Sequence, residues 1–205
     1  MFTRPEALDD RDVAAALRVG WGLDAADIEY VPVGFGSHHW SVTAGGRRWF
    51  VTVDDLPARR RSTHEPPVAT LFRLTVALNV ARALRDTGLD FVVAPELTRS
   101  GAVVHVLDER FVASCYAHVE GDHHTFGPYA SPAERLAVVD QYEASTGIHV
   151  ERHAIELYRL TWDLTEIALY VDQFRRPHGE TEDTRVAWAG LARHLNPARW
   201  ADVGG

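Results

Sequence analysis

The chain has 205 residues, 46% of them hydrophobic and 24% charged, which suits one generous domain or two small lobes. A formal net charge of -8 argues against a nucleic-acid binder, which carries a basic face, and suits a cationic ligand. All 21 basic residues are Arg, so no lysine is available for a phosphate or Schiff-base role, and Cys115, the single cysteine, leaves no intrachain disulfide.

In chain order, the N-terminal MFTRPEALDD carries no signal-peptide stretch. Asp9 and Asp10 cap a helix to about Val19, with Val13, Ala14 and Leu17 on one face. Strand-like runs follow at Ile28 to Val33, His39 to Thr43 and Arg48 to Val53, with Gly45-Gly46 as a hairpin turn between the last two. Asp54 to Thr63, with Arg59, Arg60 and Arg61, reads as an exposed loop. Pro66 and Pro67 open a long helix to about Asp86, striped by Leu71, Leu74, Leu78, Ala81 and Leu84 and stopped by Gly88.

Phe91 to Ala94, Ala102 to Leu107 and Arg110 to Ala117 read as three more strands, the last burying Cys115. Ser131-Pro132 opens a further helix. The next helix carries Leu157, Leu160, Leu164, Ile167, Val171 and Phe174 at three- and four-residue steps, a stripe expected to be core. Pro177 and Gly179 end it, and Thr181 to His194 forms the last helix. No segment reads as long enough to span a membrane, so the expected location is the cytoplasm, with no membrane partner. The fold class expected is α+β with two lobes.

Gly34-Phe35-Gly36-Ser37 lies between two strands. Glycine tolerates positive φ and lets backbone N–H groups approach an anion, so the stretch reads either as a phosphate loop or as a plain hairpin. His38 and His39 either add donors there or divide, one packing and one facing water. His149 and His153, four apart, could share a helical face, and His123-His124 is a second pair. Neither matches a zinc spacing, so no metal site is assigned. Asp163, Glu166, Tyr170 and Gln173 share the side of their helix opposite the leucine stripe, which reads as a solvated face or as part of a pocket. No G-x-S-x-G nucleophile elbow is present.

The stretches VPVGFGSHHW, RRWFVTVDDL, ARALRDTGLDFVVAP, LYRLTWDLTEIALYV and FRRPHGETEDT, in that order, resemble the aminoglycoside phosphotransferase family, nearest its spectinomycin-type members. The resemblance implies a protein-kinase-like architecture: an antiparallel-sheet N-lobe with one long helix over residues 1–118, and a truncated helical C-lobe over 119–205. It implies ATP and Mg²⁺ as cofactors and phosphorylation of an aminoglycoside or aminocyclitol hydroxyl, a resistance activity. It places Gly34, Gly36, Ser37 and His38 at the nucleotide phosphates and Thr52 near the usual lysine position. The stretch around Tyr116 and His118 becomes the hinge against adenine. Asp163, Glu166 and Tyr170 fall on the substrate side.

The family's catalytic loop, H-G-[DE]-x-H-x-x-N, and the metal-binding Asp after it are missing, because Asp140 runs straight into Gln141. His178-Gly179-Glu180 is not that loop: Glu182 and Arg185 fall where its second His and its Asn belong. Thr52 supplies no cation, Glu65 lacks the lysine it would pair with, and Arg48 or one of Arg59 to Arg61 is left to substitute. No catalytic residue is therefore assigned. The expectation is a non-catalytic, internally deleted remnant that retains nucleotide or cationic small-molecule binding, with a homodimer through the surface the deletion exposes. The alternative is an active phosphotransferase completed by a partner chain or by unrecognised residues.

Overall fold

The computed structural model describes residues 1–34, 36–62, 64–120 and 132–197. Contacts divide the chain into two compact units, Met1–Glu120 and Gly121–Gly205. The secondary structure is α+β.

In the first unit, α1 (Asp10–Trp21) starts at an Asp9 capping box, in which Asp9 accepts from the Arg11 and Asp12 backbone N–H groups and Asp12 reaches back to Asp9. Strands β1 (Ala25–Val31), β2 (His38–Ala44), β3 (Arg47–Asp55), β4 (His105–Val106) and β5 (Phe111–Ala117) form one antiparallel sheet in the order β1-β2-β3-β5-β4. Gly45 and Gly46 turn β2 into β3 with φ of 59° and 72°, as a tight hairpin of this twist requires.

Pleating sorts the residues of β2 in two. His38, Trp40, Val42 and Ala44 are buried, and the residues between them are half-exposed. The buried set meets Val51 and Val53 of β3 and Phe111, Ala113 and Cys115 of β5, and packs on Leu8, Val13 and Leu17. Each buried Val, Leu or Phe among them contributes about 1.5–3 kcal/mol on leaving water.

Three strand expectations change. Phe91 to Ala94 is not a strand, and Phe91 is 82% exposed, with no neighbouring strand to pair with. The run from Ala102 to Leu107 keeps only the short β4. Asp54 and Asp55 belong to β3 rather than to a loop, because they pair with Val112 and Phe111.

α2 (Pro67–Asp86) starts where the two prolines place it. Leu71, Leu74, Leu78 and Ala81 are half-buried, while Leu84, Val68, Phe72, Val76 and Val80 are exposed. At 20 residues with a mean hydropathy of 1.2, α2 is, by length and composition alone, long and apolar enough to cross a membrane, which the sequence reading had not allowed for any segment. Its Arg73 and Arg82 are paired with Glu65 and Asp86.

The second unit contains α3 (Pro132–Thr146), α4 (Arg152–Arg175) and α5 (Glu182–His194). Tyr170, Ala187 and Leu191, flanked by Ile167 and Phe174, join α4 to α5. Gly190 is what permits their approach, since a Cβ there would lie 2.6 Å from the Tyr170 hydroxyl. The leucine stripe is core only in part: Ile167 and Phe174 pack on the cluster, while Leu157, Leu164 and Val171 are exposed, and α5 also covers the side that carries Asp163 and Tyr170.

Candidate functional site: the polar face of the sheet

The face of the sheet opposite α1 is polar because the same two-residue period that buries Trp40 and Val51 turns their neighbours the other way. Register places His39, Thr52 and Ser114 in one cross-strand row, and Ser41, Phe50 and Tyr116 in the next. At the end where β2 begins, Ser37 donates to Asp54 across 2.8 Å. Beyond it stands the glycine loop, with Gly34 at φ 72° and Gly36 at φ 86°, left-handed values that favour glycine.

His39 Nδ1 lies 3.3 Å from Thr52 Oγ1, and its ring stacks on Phe50 at 5.1 Å. Its Nε2 is 3.4 Å from where a Cβ on Gly34 would stand, so the ring occupies space that this glycine leaves open. Burial, reinforced by nearby positive groups, pushes the imidazole down to about 4, which leaves it neutral at pH 7. Ser114 donates to the Tyr116 hydroxyl at 3.3 Å, and burial raises that phenol.

Asp54 is 3% exposed. Burial raises its carboxyl, while the Arg59 guanidinium and the Ser37 hydroxyl oppose that shift. Arg59 pairs with Asp54 through Nε and donates to Ser37 Oγ from Nη2. Its own backbone is fixed from both sides: its N–H bonds to the Asp55 and Leu56 carbonyls, and its carbonyl accepts from Arg73 of α2 at 3.2 Å. Arg73 also donates to both oxygens of Glu65 at 2.9 Å. Glu65 therefore has an arginine partner on α2, and its carboxyl is held below the usual range, chiefly by the Arg61 N–H and then by Arg73.

Of the residues singled out in the sequence for nucleotide, Gly34, Gly36, Ser37, Thr52 and Tyr116 lie along this loop and face. The His118 N–H donates to the Arg48 carbonyl at 3.2 Å, which continues the β3–β5 register and puts His118 on the side of Tyr116. His38 goes the other way. Its Nδ1 is 3.2 Å from the Tyr30 hydroxyl and its ring packs near Trp40, so it belongs to the core side. Asp54, Ser114 and Arg59's contact with the loop escaped the residue-by-residue reading. The period of β2 was a usable signal for Ser114, but nothing in the sequence tells which of three consecutive arginines turns back.

The expected substrate-side residues are placed differently from a ligand-facing set. Asp163 is 2% exposed and accepts from His194 Nδ1 at 2.8 Å, Tyr170 packs on Gly190, and Glu166 is half-buried. His149 precedes α4, so it does not share a helical face with His153; it bonds to Glu143 at 3.0 Å. His123 and His124 lie outside the described residues.

The polar face fits phosphate better than it fits Mg²⁺. Hard cations need several free oxygens, and Asp54, the carboxylate on this face, is engaged by Arg59 and Ser37. Among the described residues no group of three or more His, Cys, Asp or Glu converges as a metal site.

No protein-family model matches the chain, and no curated protein matches it. Among solved structures it is similar to the crystal structure of spectinomycin phosphotransferase APH(9)-Ia in complex with ADP and spectinomycin, at 13% identity and a TM-score of 0.47. The match covers 94% of this chain and 55% of that one, so the chain spans about half the length of the protein it resembles. A likeness of this size carries no weight for activity or ligand.

Proposed function

We propose that the chain is a non-catalytic protein of the aminoglycoside phosphotransferase type that binds an adenine nucleotide along the polar face of its first unit and does not transfer phosphate by itself. The observation that carries this reading is the alignment of the glycine loop with the His39-Thr52-Ser114 row. Glycines at positive φ let backbone N–H groups approach an anion, and the polar row behind them offers hydroxyl and imidazole partners. The stretch from Tyr116 to His118 continues the same face in register with β3, and this reading sets the base against it.

Phosphoryl transfer is left out because its parts are left out. Thr52 stands where a lysine would contact phosphates, and no acid or Asn of a catalytic loop lies between Asp140 and Gln141. Losing positioned charge and metal at the transferred group costs several powers of ten in rate. ATP is the cofactor of this reading; Mg²⁺ is given no role, because the carboxylate on this face is engaged.

The test is a thermal-shift titration with adenosine, ADP and ATP, each with and without spectinomycin, beside a phosphate-transfer assay. A ligand that binds only the folded chain stabilises it by about 2.7 kcal/mol at a hundredfold excess over Kd, which the melt registers. The expected result is a rise in Tm with nucleotide and no phosphorylated product. A melt unmoved by millimolar ATP would overturn the binding, and turnover would overturn the non-catalytic assignment.

A further inference from the structure

We propose that Arg59 is the side-chain cation of the glycine loop, contacting the phosphates of a bound nucleotide, and that Asp54 restrains it when no nucleotide is present. This rests on the nucleotide reading above and names the group that gives it charge.

The sequence poses the problem: a phosphate loop needs a cation, the chain has no lysine, and Thr52 stands where the resemblance would put one. The fold answers it from an unexpected direction. After β3 the chain turns at Leu56 to Arg59, with the Arg59 N–H bonded to Asp55 O at 3.1 Å and Leu56 O at 3.2 Å, and the guanidinium comes back against the loop. A Cβ on Gly36 would stand 3.6 Å from Nη2 and 4.0 Å from Nη1, so the absence of a side chain there is what leaves the cation uncovered.

Two sets of donors then meet. The backbone N–H groups of Gly34, Gly36 and Ser37 make no hydrogen bond among the described residues. The guanidinium carries five N–H donors, of which Asp54 and Ser37 engage only part. Unengaged backbone amides beside an arginine fork offer the kinds of donor that phosphate oxygens select.

Asp54 gives the arrangement a second property. Its carboxylate orients Arg59 and also opposes any phosphate that approaches. Neutralising Asp54 should therefore strengthen phosphate binding, although it removes an ion pair. A charge that served only to fix the loop would have the opposite effect or none.

The experiment measures Kd by calorimetry for adenosine and ADP with the wild type, Asp54→Asn and the double variant Asp54→Asn/Arg59→Gln. The double variant replaces Arg59→Gln alone because that change would strand a buried carboxylate, whereas the pair of changes leaves none. A cooperative melt for each protein confirms folding. Asp54→Asn is expected to bind ADP about tenfold tighter than wild type, and the double variant at least tenfold weaker than Asp54→Asn, with adenosine unchanged throughout. Equal ADP affinity in all three, with adenosine still bound, overturns the role of Arg59 and leaves the nucleotide reading standing. Weaker ADP binding by Asp54→Asn overturns the restraint. A wild type that binds neither ligand overturns the nucleotide reading, and this inference with it.

Discussion

Asp163 and His194 are the most deeply buried ionisable pair among the described residues, at 2% and 0% exposure, joined at 2.8 Å. Burying two such groups is costly, and their mutual hydrogen bond offsets that cost only while both are present. His194→Ala is therefore expected to destabilise the second unit by about 3–5 kcal/mol, since it takes the imidazole away from a buried carboxylate. Urea unfolding followed by circular dichroism checks it, and a loss below about 1 kcal/mol would contradict it. From the sequence alone Asp163 was a candidate ligand group on an open helix side. The thirty-one residues that separate it from His194 hide the pairing, because nothing local links the two.

Between α3 and α4 the chain turns on one carboxylate. Glu143 accepts from both terminal nitrogens of Arg152 at 2.9 Å and from the Val150 N–H at 2.6 Å. The Arg152 bonds first, and the Val150 N–H second, hold Glu143 down to about 2 against an ordinary 4.5. The folded value is depressed, so the stabilisation is complete above about 4.5 and is lost as pH falls toward 2. The melting point of Glu143→Gln should accordingly lie below wild type at neutral pH and converge with it near pH 2; a gap independent of pH would contradict the assignment. At this scale local chemistry was legible where it closes on itself. The Asp9 cap, the Gly45-Gly46 turn and the Pro66-Pro67 helix start all stand where their residue types put them. Phe91 to Ala94 had strand composition but found no strand beside it, and composition cannot supply a neighbour.

For the molecule as a whole, burial is unequal. The first unit encloses its own core, from Leu8 through Trp40, Val51 and Phe111 to Cys115, entirely within residues 1–120. Among its described residues the second buries a cluster of Tyr170, Ala187 and Leu191 and leaves Leu157, Trp162, Leu164 and Leu169 exposed. A fragment of residues 1–120 should melt cooperatively on its own, and a fragment of 121–205 should not, because too little apolar surface leaves water there to offset chain entropy. Calorimetry of the two fragments checks it; a sharp transition in the second would be the contrary result. The sequence by itself determined the helices, the hairpin and the glycine loop, because each is written in adjacent residues or in a short period. Only the tertiary structure decided that His38 packs while His39 faces the site, that α5 covers Asp163 and Tyr170, and that Arg59 returns to the glycine loop. Those outcomes depend on which distant surfaces meet, and periodicity names a face without naming what covers it.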